Sequence, residues 1–447
     1  MHKTIALFSF LFICKLCFAQ DIAFPIKASS DKKYLVDQNN KAVFLNGCSS
    51  WDLTYALTYN EAKEYLLDRK EKKFNALLLH IIPYSKQFKN DIKKPYGIPA
   101  FFDDDLDKPN EAFFQHLDSL IELCNQLGFA AIIAPMYLGC CNDGWLEVIQ
   151  QYKDGEAKCK RYGEWFAKRY KKYPNIIWLS GGDHNLVSEA TAFTEGIVSV
   201  DTTHLHTAHA HPGKSSGERY ADVKWQTLSA CYTYFPAMEQ SKEWQFVQVY
   251  KMMYDEWYNN YHMPYFLIES AYEDERFATT QIIRRQAWWS LLSGASGEIF
   301  GQRDLYQLND NWKKAIDEPG SESMKILAEF AQTIPWYKLK PDWAHSFFVS
   351  GRGTFNSTMY PGGEDYATGE YNPDSSLAIL YMPSYRKVGV NMSRFKHAVT
   401  VKWFDPSSGN YTNTSSSFPN KDVEYFEPPS FKNAKGFDDW VLVLEAK

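Results

Sequence analysis

Two carboxylates in this 447-residue chain sit where an apolar run ends. Asp183 follows the run WLSGG, and Glu269 follows YFLI. Strand-like runs of this kind are buried in a folded protein, so an acid at the end of one faces a cleft with its charge partly desolvated. Two such acids can break a glycosidic bond, because one protonates the leaving oxygen while the other attacks the sugar or activates water. Carboxyl groups about 5 to 5.5 Å apart give retention of configuration through a covalent intermediate, and a wider gap gives inversion. The sequence does not measure that gap. Structural duties compete for the same residues: Asp183 as cap of the following helix, and Glu269 as partner of an arginine such as Arg284.

A second cluster, HLHTAHAH, holds His204, His206, His209 and His211. Imidazoles suit zinc, and a catalytic zinc needs three protein ligands. On a strand, however, His204 and His206 share one face while His209 and His211 share the other. No HExxH or CxxC motif stands beside them, so a zinc hydrolase is the weakest of the enzyme readings. The acidic stretch from Asp103 to Asp107 has Lys108 where a calcium loop needs glycine and Phe114 where it needs a bidentate glutamate. It reads as a solvated loop. No metal and no cofactor is called for.

The elements that must carry these groups are legible from about Lys33 to Leu339, where short β-type runs alternate with helical patterns. Eight runs stand out: Ala42 to Gly47, Asn75 to Ile82, Ala130 to Tyr137, Asn175 to Gly182, His204 to His211, Trp225 to Tyr232, Pro264 to Ser270 and Gly297 to Gln302. Eight is the number that closes an α/β (β/α)8 TIM barrel, whose functional side chains project from the C-terminal ends of its strands. An open, doubly wound sheet stays as the alternative. Thr58 and Glu61 form a capping box that opens a helix, and Phe113, Leu117, Leu120, Ile121 and Cys124 recur at helical spacing before Gly128.

Past Pro335 and Pro341 the pattern changes to alternating strands, HSFFVS, LAILYMP, AVTVKWFDP and DWVLVLEA, parted by turn residues. These read as a C-terminal antiparallel β-sandwich domain. The division expected is a signal peptide over 1–20, a catalytic barrel over 21–340 and the sandwich over 343–447. The short proline-bounded connection is too stiff for free motion, so the sandwich is expected to buttress the barrel more than to bind on its own.

Composition narrows the partners. With 48 basic and 54 acidic side chains, a net charge of −6 and a mean hydropathy of −0.43, the chain lacks a basic stripe for phosphates, and nucleic acid is disfavoured. Its 14 Trp, 29 Tyr and 30 Phe offer flat faces for sugars. The start, MHKTIALFSFLFICKLCFAQ, has the basic end, apolar run and small Ala19 of a secretory signal. The expectation is an exported protein, periplasmic or extracellular, with no membrane span. Behind that segment remain Cys48, Cys124, Cys140, Cys141, Cys159 and Cys231, which export permits to pair in ways the sequence does not select. Oligomeric state is likewise left open.

The stretches YGEWFAKRYKKYPNIIWLSGGDHN, KYLVDQNNKAVFLNG, LIESAYE, RRQAWWSLLSGASGEIFG, WFDPSSGNY and DWVLVLE resemble the apiosidase-like glycoside hydrolases. In that family a TIM barrel precedes a small β-sandwich labelled a collagen-binding domain. The resemblance runs from about Lys33 to the C-terminus. It implies that Asp183 in the GGD motif is the general acid/base and that Glu269, ahead of Tyr272 and Glu273, is the nucleophile. It also implies a retaining enzyme that cleaves apiosyl linkages in side chains of the pectic polysaccharide rhamnogalacturonan II. His211 matches a family His-Pro pair. The residues expected around the sugar are Trp51, Asn185, His211, Tyr232, Tyr272 and Gln302, with Tyr137 and Trp145 as further aromatics able to stack. Two departures are expected to alter the pocket: Gly47-Cys48-Ser49-Ser50-Trp51 in place of a GD-x-x-W motif, and Cys231-Tyr232-Thr233-Tyr234 in place of Q-S-G-H. A non-catalytic carbohydrate- or matrix-binding protein is the alternative from another class, and intact GGD and ESAYE motifs speak against it.

Overall fold

The structure is a computed structural model that describes residues 22–83, 98–139, 144–234, 247–259, 261–358 and 362–446. The expected signal segment and Cys140 and Cys141 lie outside the described residues.

Eight parallel strands build the first unit: Leu45–Ser49, Ala76–His80, Ala130–Ala134, Ile176–Gly181, His206–His209, Ser229–Tyr232, Tyr265–Glu269 and Gly297–Phe300. The eighth strand pairs with the first, from Gly297 opposite Leu45 to Phe300 opposite Cys48. That pairing bends the sheet round on itself, and it decides for a barrel over an open doubly wound sheet. Strands five and six meet at the seam, where the backbone N–H groups of Thr227 and Leu228 donate to the His206 carbonyl. The first run is divided. Ala42–Val43 belongs to a three-stranded antiparallel ribbon with Lys27–Ala28 and Leu35–Val36, and the barrel strand starts only at Leu45.

Helices follow the strands on the outside. Tyr59–Glu71 opens on the capping box, with Thr58 Oγ1 accepting from the Glu61 N–H and Glu61 accepting in return from Thr58 N–H. Glu111–Gln126 buries Phe113, Phe114, Leu117, Leu120, Ile121, Leu123 and Cys124 against the barrel. The acidic stretch before it is paired, Asp105 with Lys158 at 2.6 Å and Asp107 with Arg161 at 2.7 Å. Cys48, Cys124, Cys159 and Cys231 are buried free thiols. Among the described residues, no helix is long and apolar enough to cross a membrane.

The C-terminal unit packs a six-stranded antiparallel sheet on a three-stranded one. The period of two along a strand splits its apolar residues between two destinations. Ala378, Leu380, Met382, Val401, Leu442 and Leu444 face the small sheet, where Phe348, Val388 and Val390 complete the sandwich core. Ile379, Tyr381, Phe404, Val441 and Val443 belong instead to the core of the barrel unit. Tyr381 lies stacked on Trp288 of helix Thr280–Leu291, ring centroids 5.6 Å apart and planes at 11°. Beside it, Arg284 of the same helix grips Asp439 with two hydrogen bonds of 2.7 Å, while Tyr381 and Asn433 also donate to Asp439. The sandwich is thus mortised to the barrel by an apolar face and a buried ion pair.

Candidate active site

Asp183 is placed by the two glycines before it. Gly181 has a φ of 90°, a conformation that side chains rarely adopt. A Cβ on Gly182 would stand 2.7 Å from the Leu138 amide nitrogen. The chain can turn off the fourth strand this tightly, against the loop behind the third, only without side chains. Helix Ser188–Val200 begins at Val187 with no side-chain cap, so Asp183 is not used to close it. Glu269 ends the seventh strand just past a register shift: Leu267 faces Cys231, and Glu269 already faces Tyr232. Such bulges re-aim side chains next to functional sites. Arg284 does not reach Glu269, because its guanidinium is committed to Asp439.

Between the two carboxylates stands His209, at the end of the fifth strand and fully buried. Its Nε2 is 2.7 Å from Glu269 Oε2, and its Nδ1 is 3.4 Å from Asp183 Oδ1. One oxygen or nitrogen from each of the three lies within 4.8 Å of the other two. Asp183 and Glu269 are therefore close neighbours across the mouth, not separated walls of a wide cleft. This trio is also the one group of His, Cys, Asp and Glu side chains among the described residues whose atoms could converge on a metal ion. The other histidines of the run go elsewhere: on the opposite strand face His204 binds Asp201 and the Tyr173 carbonyl and His206 lies against Trp178, while His211, beyond the strand end, meets His184.

Aromatic side chains from several strand ends wall the mouth. Trp51 lies against His80 and Tyr137, with centroids 4.2 and 5.2 Å away, and Tyr232 lies 4.6 Å from His209. Tyr272 is the hub of a hydrogen-bonded chain, accepting from Trp51 Nε1 at 3.0 Å and meeting Ser49 Oγ at 2.9 Å. The Tyr272 hydroxyl also draws down the pKa of the neighbouring Glu269 carboxyl, as Tyr137 and Tyr232 do for Asp183. Burial sets the electrostatics. It pushes Asp183 up to about 6 and Glu269 up to about 8, and it lowers His209, which is neutral at pH 7. The order of those two values alone would leave a shared proton on Glu269. A neutral His209 donates from one ring nitrogen and accepts at the other, so it can stabilise that proton on either carboxyl; the tautomer that donates to Glu269 favours its charged form. Asp183 Oδ1 takes no hydrogen bond in the structure and faces His209 Nδ1, so a proton on Asp183 satisfies both.

Of the residues expected around a sugar, Trp51, Tyr232 and Tyr272 meet Asp183 or Glu269 directly or through one side chain. Asn185 is exposed on the loop after the fourth strand, and His211 is half-buried beside His184. Gln302 is turned inward: its Oε1 accepts from the Asp304 and Leu305 N–H groups, which holds its own loop together. Glu273 is likewise engaged, by Thr280 and the Gly320 N–H. Trp145 is packed, donating to the Pro83 carbonyl. The expectation that Cys48 and Cys231 line the pocket fails. The first strand runs on to Ser49, so Cys48 lies within it and points outward to Tyr65, 3.2 Å away. Cys231 points the opposite way from Tyr232, toward Glu256 and Asp255 of the helix Val249–Asn259. Ser49 is the residue of that segment that faces the mouth. His209 and His80 were not anticipated from the sequence, although parity had already put His209 on the face opposite His204 and His206.

A closed barrel of this kind with a sandwich behind it, and acids with a histidine gathered at its C-terminal mouth, defines a glycoside-hydrolase fold and supports a glycosidase-type catalytic function. Residues 29–338 match the profile described as "Apiosidase-like, catalytic domain", and residues 363–445 match "Putative collagen-binding domain of a collagenase". The protein belongs to the apiosidase-like family. Among solved structures it is similar to a glycoside hydrolase family 5 protein from Bacteroides vulgatus, with a TM-score of 0.79 and 20% identity over 94% of this chain and 93% of that one. A second structure, described as a glycoside hydrolase, has a TM-score of 0.79 and 20% identity over 95% and 97% of the two chains. The endo-beta-1,4-mannanase from Thermotoga petrophila shares the fold more distantly, with a TM-score of 0.51 and 13% identity over 86% and 91%. A search of curated protein sequences returns no match.

Proposed function

We propose that the protein is an exported retaining glycosidase that removes a sugar from a side chain of a pectic polysaccharide, with Asp183 as general acid/base and Glu269 as nucleophile. One observation carries the mechanism: an oxygen of Asp183 lies within 4.8 Å of an oxygen of Glu269. That spacing fits the about 5 to 5.5 Å of a double displacement and leaves no room for the water that an inverting pair, about 6.5 to 9.5 Å apart, holds between its carboxyls. Asp183 gives its proton to the glycosidic oxygen as Glu269 bonds to the anomeric carbon, the glycosidic C–O bond breaks, and the rest of the chain leaves as an alcohol. Water then attacks that carbon, Asp183 takes the water's proton, and Glu269 leaves. Tyr272 and His209 hold Glu269 ionised and aimed, and Trp51 and Tyr137 wall the sugar site with aromatic rings. Kinship with the apiosidase-like family supports the choice of a pectic, apiosyl-bearing substrate.

The test is kinetic. Asp183→Ala should spare aryl glycosides with good leaving groups and gain rate with azide, whereas Glu269→Ala should lose turnover of every substrate. Products from pectic oligosaccharides identify the sugar. Near wild-type rates in both variants, on natural and activated substrates alike, would overturn the assignment.

A further inference from the structure

At the other end of the barrel, where the strands begin, two clefts of about 330 and 440 Å³ flank one ridge of aromatic rings. The ridge is Tyr34, from the N-terminal ribbon, with Trp336 and Tyr337 from the link between barrel and sandwich. Tyr34 lies 5.3 Å from Tyr337 and 6.3 Å from Trp336, and all three side chains line both clefts. Tyr337 is 37% exposed, so part of its face is open to solvent. On the floor of the first cleft Asn46 is 1% exposed and its Nδ2 donates to the Lys73 carbonyl, which adds a polar group beneath the rings.

We propose that this ridge and its two clefts form a second glycan-binding site, for an acidic, uronate-bearing oligosaccharide, remote from the Asp183 and Glu269 mouth. Each cleft has the volume of a small-molecule site, and the ridge between them offers aromatic side chains to both. Rings with a flat apolar face and polar edges match aromatic faces bordered by amides such as Asn46 and Asn372. Charge selects an acidic chain. Lys33, Lys41, Lys73, Lys338 and Lys340 line the clefts against three aspartates, in a protein whose net charge is −6. The aspartates are turned to the chain's own turns: Asp37 accepts from the Asn39 and Lys41 N–H groups, Asp31 from Ser29, and Asp374 from the Ser376 N–H. A site here would hold a polymer on the face opposite the one where it is cut, and it does not depend on the catalytic reading.

The experiment titrates the full chain carrying Glu269→Ala, which cannot turn over substrate, with a homogalacturonan oligomer and with its methyl-esterified, uncharged counterpart. The acid form should bind at least tenfold more tightly than the ester, and the more so at low salt. Adding Tyr337→Ala, an exposed position that leaves the core intact, should weaken it at least tenfold. Lys338→Gln with Lys340→Gln should erase the preference over the ester, and Trp51→Ala at the far mouth should change neither affinity. Absence of binding, binding that survives Tyr337→Ala, or equal affinity for acid and ester would each overturn the proposal. Tyr337→Ala in the otherwise unaltered protein should leave aryl-glycoside hydrolysis unchanged, which keeps this test separate from that of Asp183 and Glu269.

Discussion

His209 Nε2 meets Glu269 Oε2 directly, at 2.7 Å, in the buried mouth of the barrel. A charge-assisted bond of this kind contributes about 1.5 to 3 kcal/mol. In His209→Ala the turnover number should therefore fall by about tenfold to a hundredfold with little change in KM. Because loss of the donor raises the pKa of Glu269, the acid limb of the pH profile should move to higher pH. His209→Gln, which can offer an N–H to the same oxygen, should recover part of the rate and restore the limb. An unmoved limb in His209→Ala would mean that the histidine serves packing alone.

The pair of carboxylates titrates as a unit, and the active form carries one proton. Burial raises both members, Asp183 to about 6 and Glu269 to about 8. A bell-shaped profile of kcat/KM centred near neutral pH follows, with limbs near those values. Below the lower one a second proton silences the nucleophile, and above the upper one the acid has no proton to give. Asp183→Asn should remove the basic limb. A wild-type profile still rising at pH 9 would contradict the shared proton.

Stability should oppose activity at Glu269. Burial raises the folded pKa values of the Asp183 and Glu269 pair above their unfolded ones, so the folded state binds extra protons, and stability declines as pH rises from about 4.5 to about 8. Glu269→Gln removes that cost. Its melting temperature should exceed that of the wild type at pH 8 by an amount worth about 1 to 3 kcal/mol and should converge on it near pH 4. A gain that is the same at both pH values would point to packing instead of ionisation.

The sandwich should not survive alone. Expressed as residues 342–447, it would present Ile379, Tyr381, Val441 and Val443 to water, and aggregation or partial unfolding is expected. In the intact chain, Arg284→Met should destabilise by about 3 to 5 kcal/mol, because it strands the Asp439 carboxylate in the interior. A soluble, cooperatively folded fragment that retains polysaccharide would refute both the dependence and the buttress role.

Cys48→Asp should leave substrate preference untouched and lower the melting temperature, since the new charge would lie buried against Tyr65. Ser49→Asp, by contrast, alters a partner of Tyr272 and should change KM for the sugar. Altered specificity in Cys48→Asp would show that the side chain reaches the mouth after all.

Most of the eight strands were legible because they are buried apolar runs with turn residues at their ends, and the helix after Thr58 because its caps are local chemistry. The mouth was legible only in part. Asp183 and Glu269 announce themselves as charges at the ends of apolar runs, but His209 sits in a run of four histidines whose end residue depends on where the strand stops. The error at Cys48 has the same origin. Reading the first strand as ending at Gly47 makes Cys48 a loop residue, whereas two residues diverted to the ribbon at Ala42–Val43 slide the barrel strand forward to Ser49. Gln302 was taken for a ligand contact because its type suits one, and nothing in sequence tells whether a carboxamide is already spent on its own turn.

Inheritance is constrained by the six-stranded sheet whose outer face is largely taken up by the barrel. A module that moves between genes must arrive with a solvated exterior, and this one would arrive with a bare stripe of Ile379, Tyr381, Val441 and Val443. Its complement is written elsewhere in the chain, on Arg284 and Trp288 of one helix and Phe330 of another. Recombination at the proline-bounded link would separate lock from key. The heritable unit is therefore barrel and sandwich together, and residues on both sides of their seam should change in step as lineages diverge.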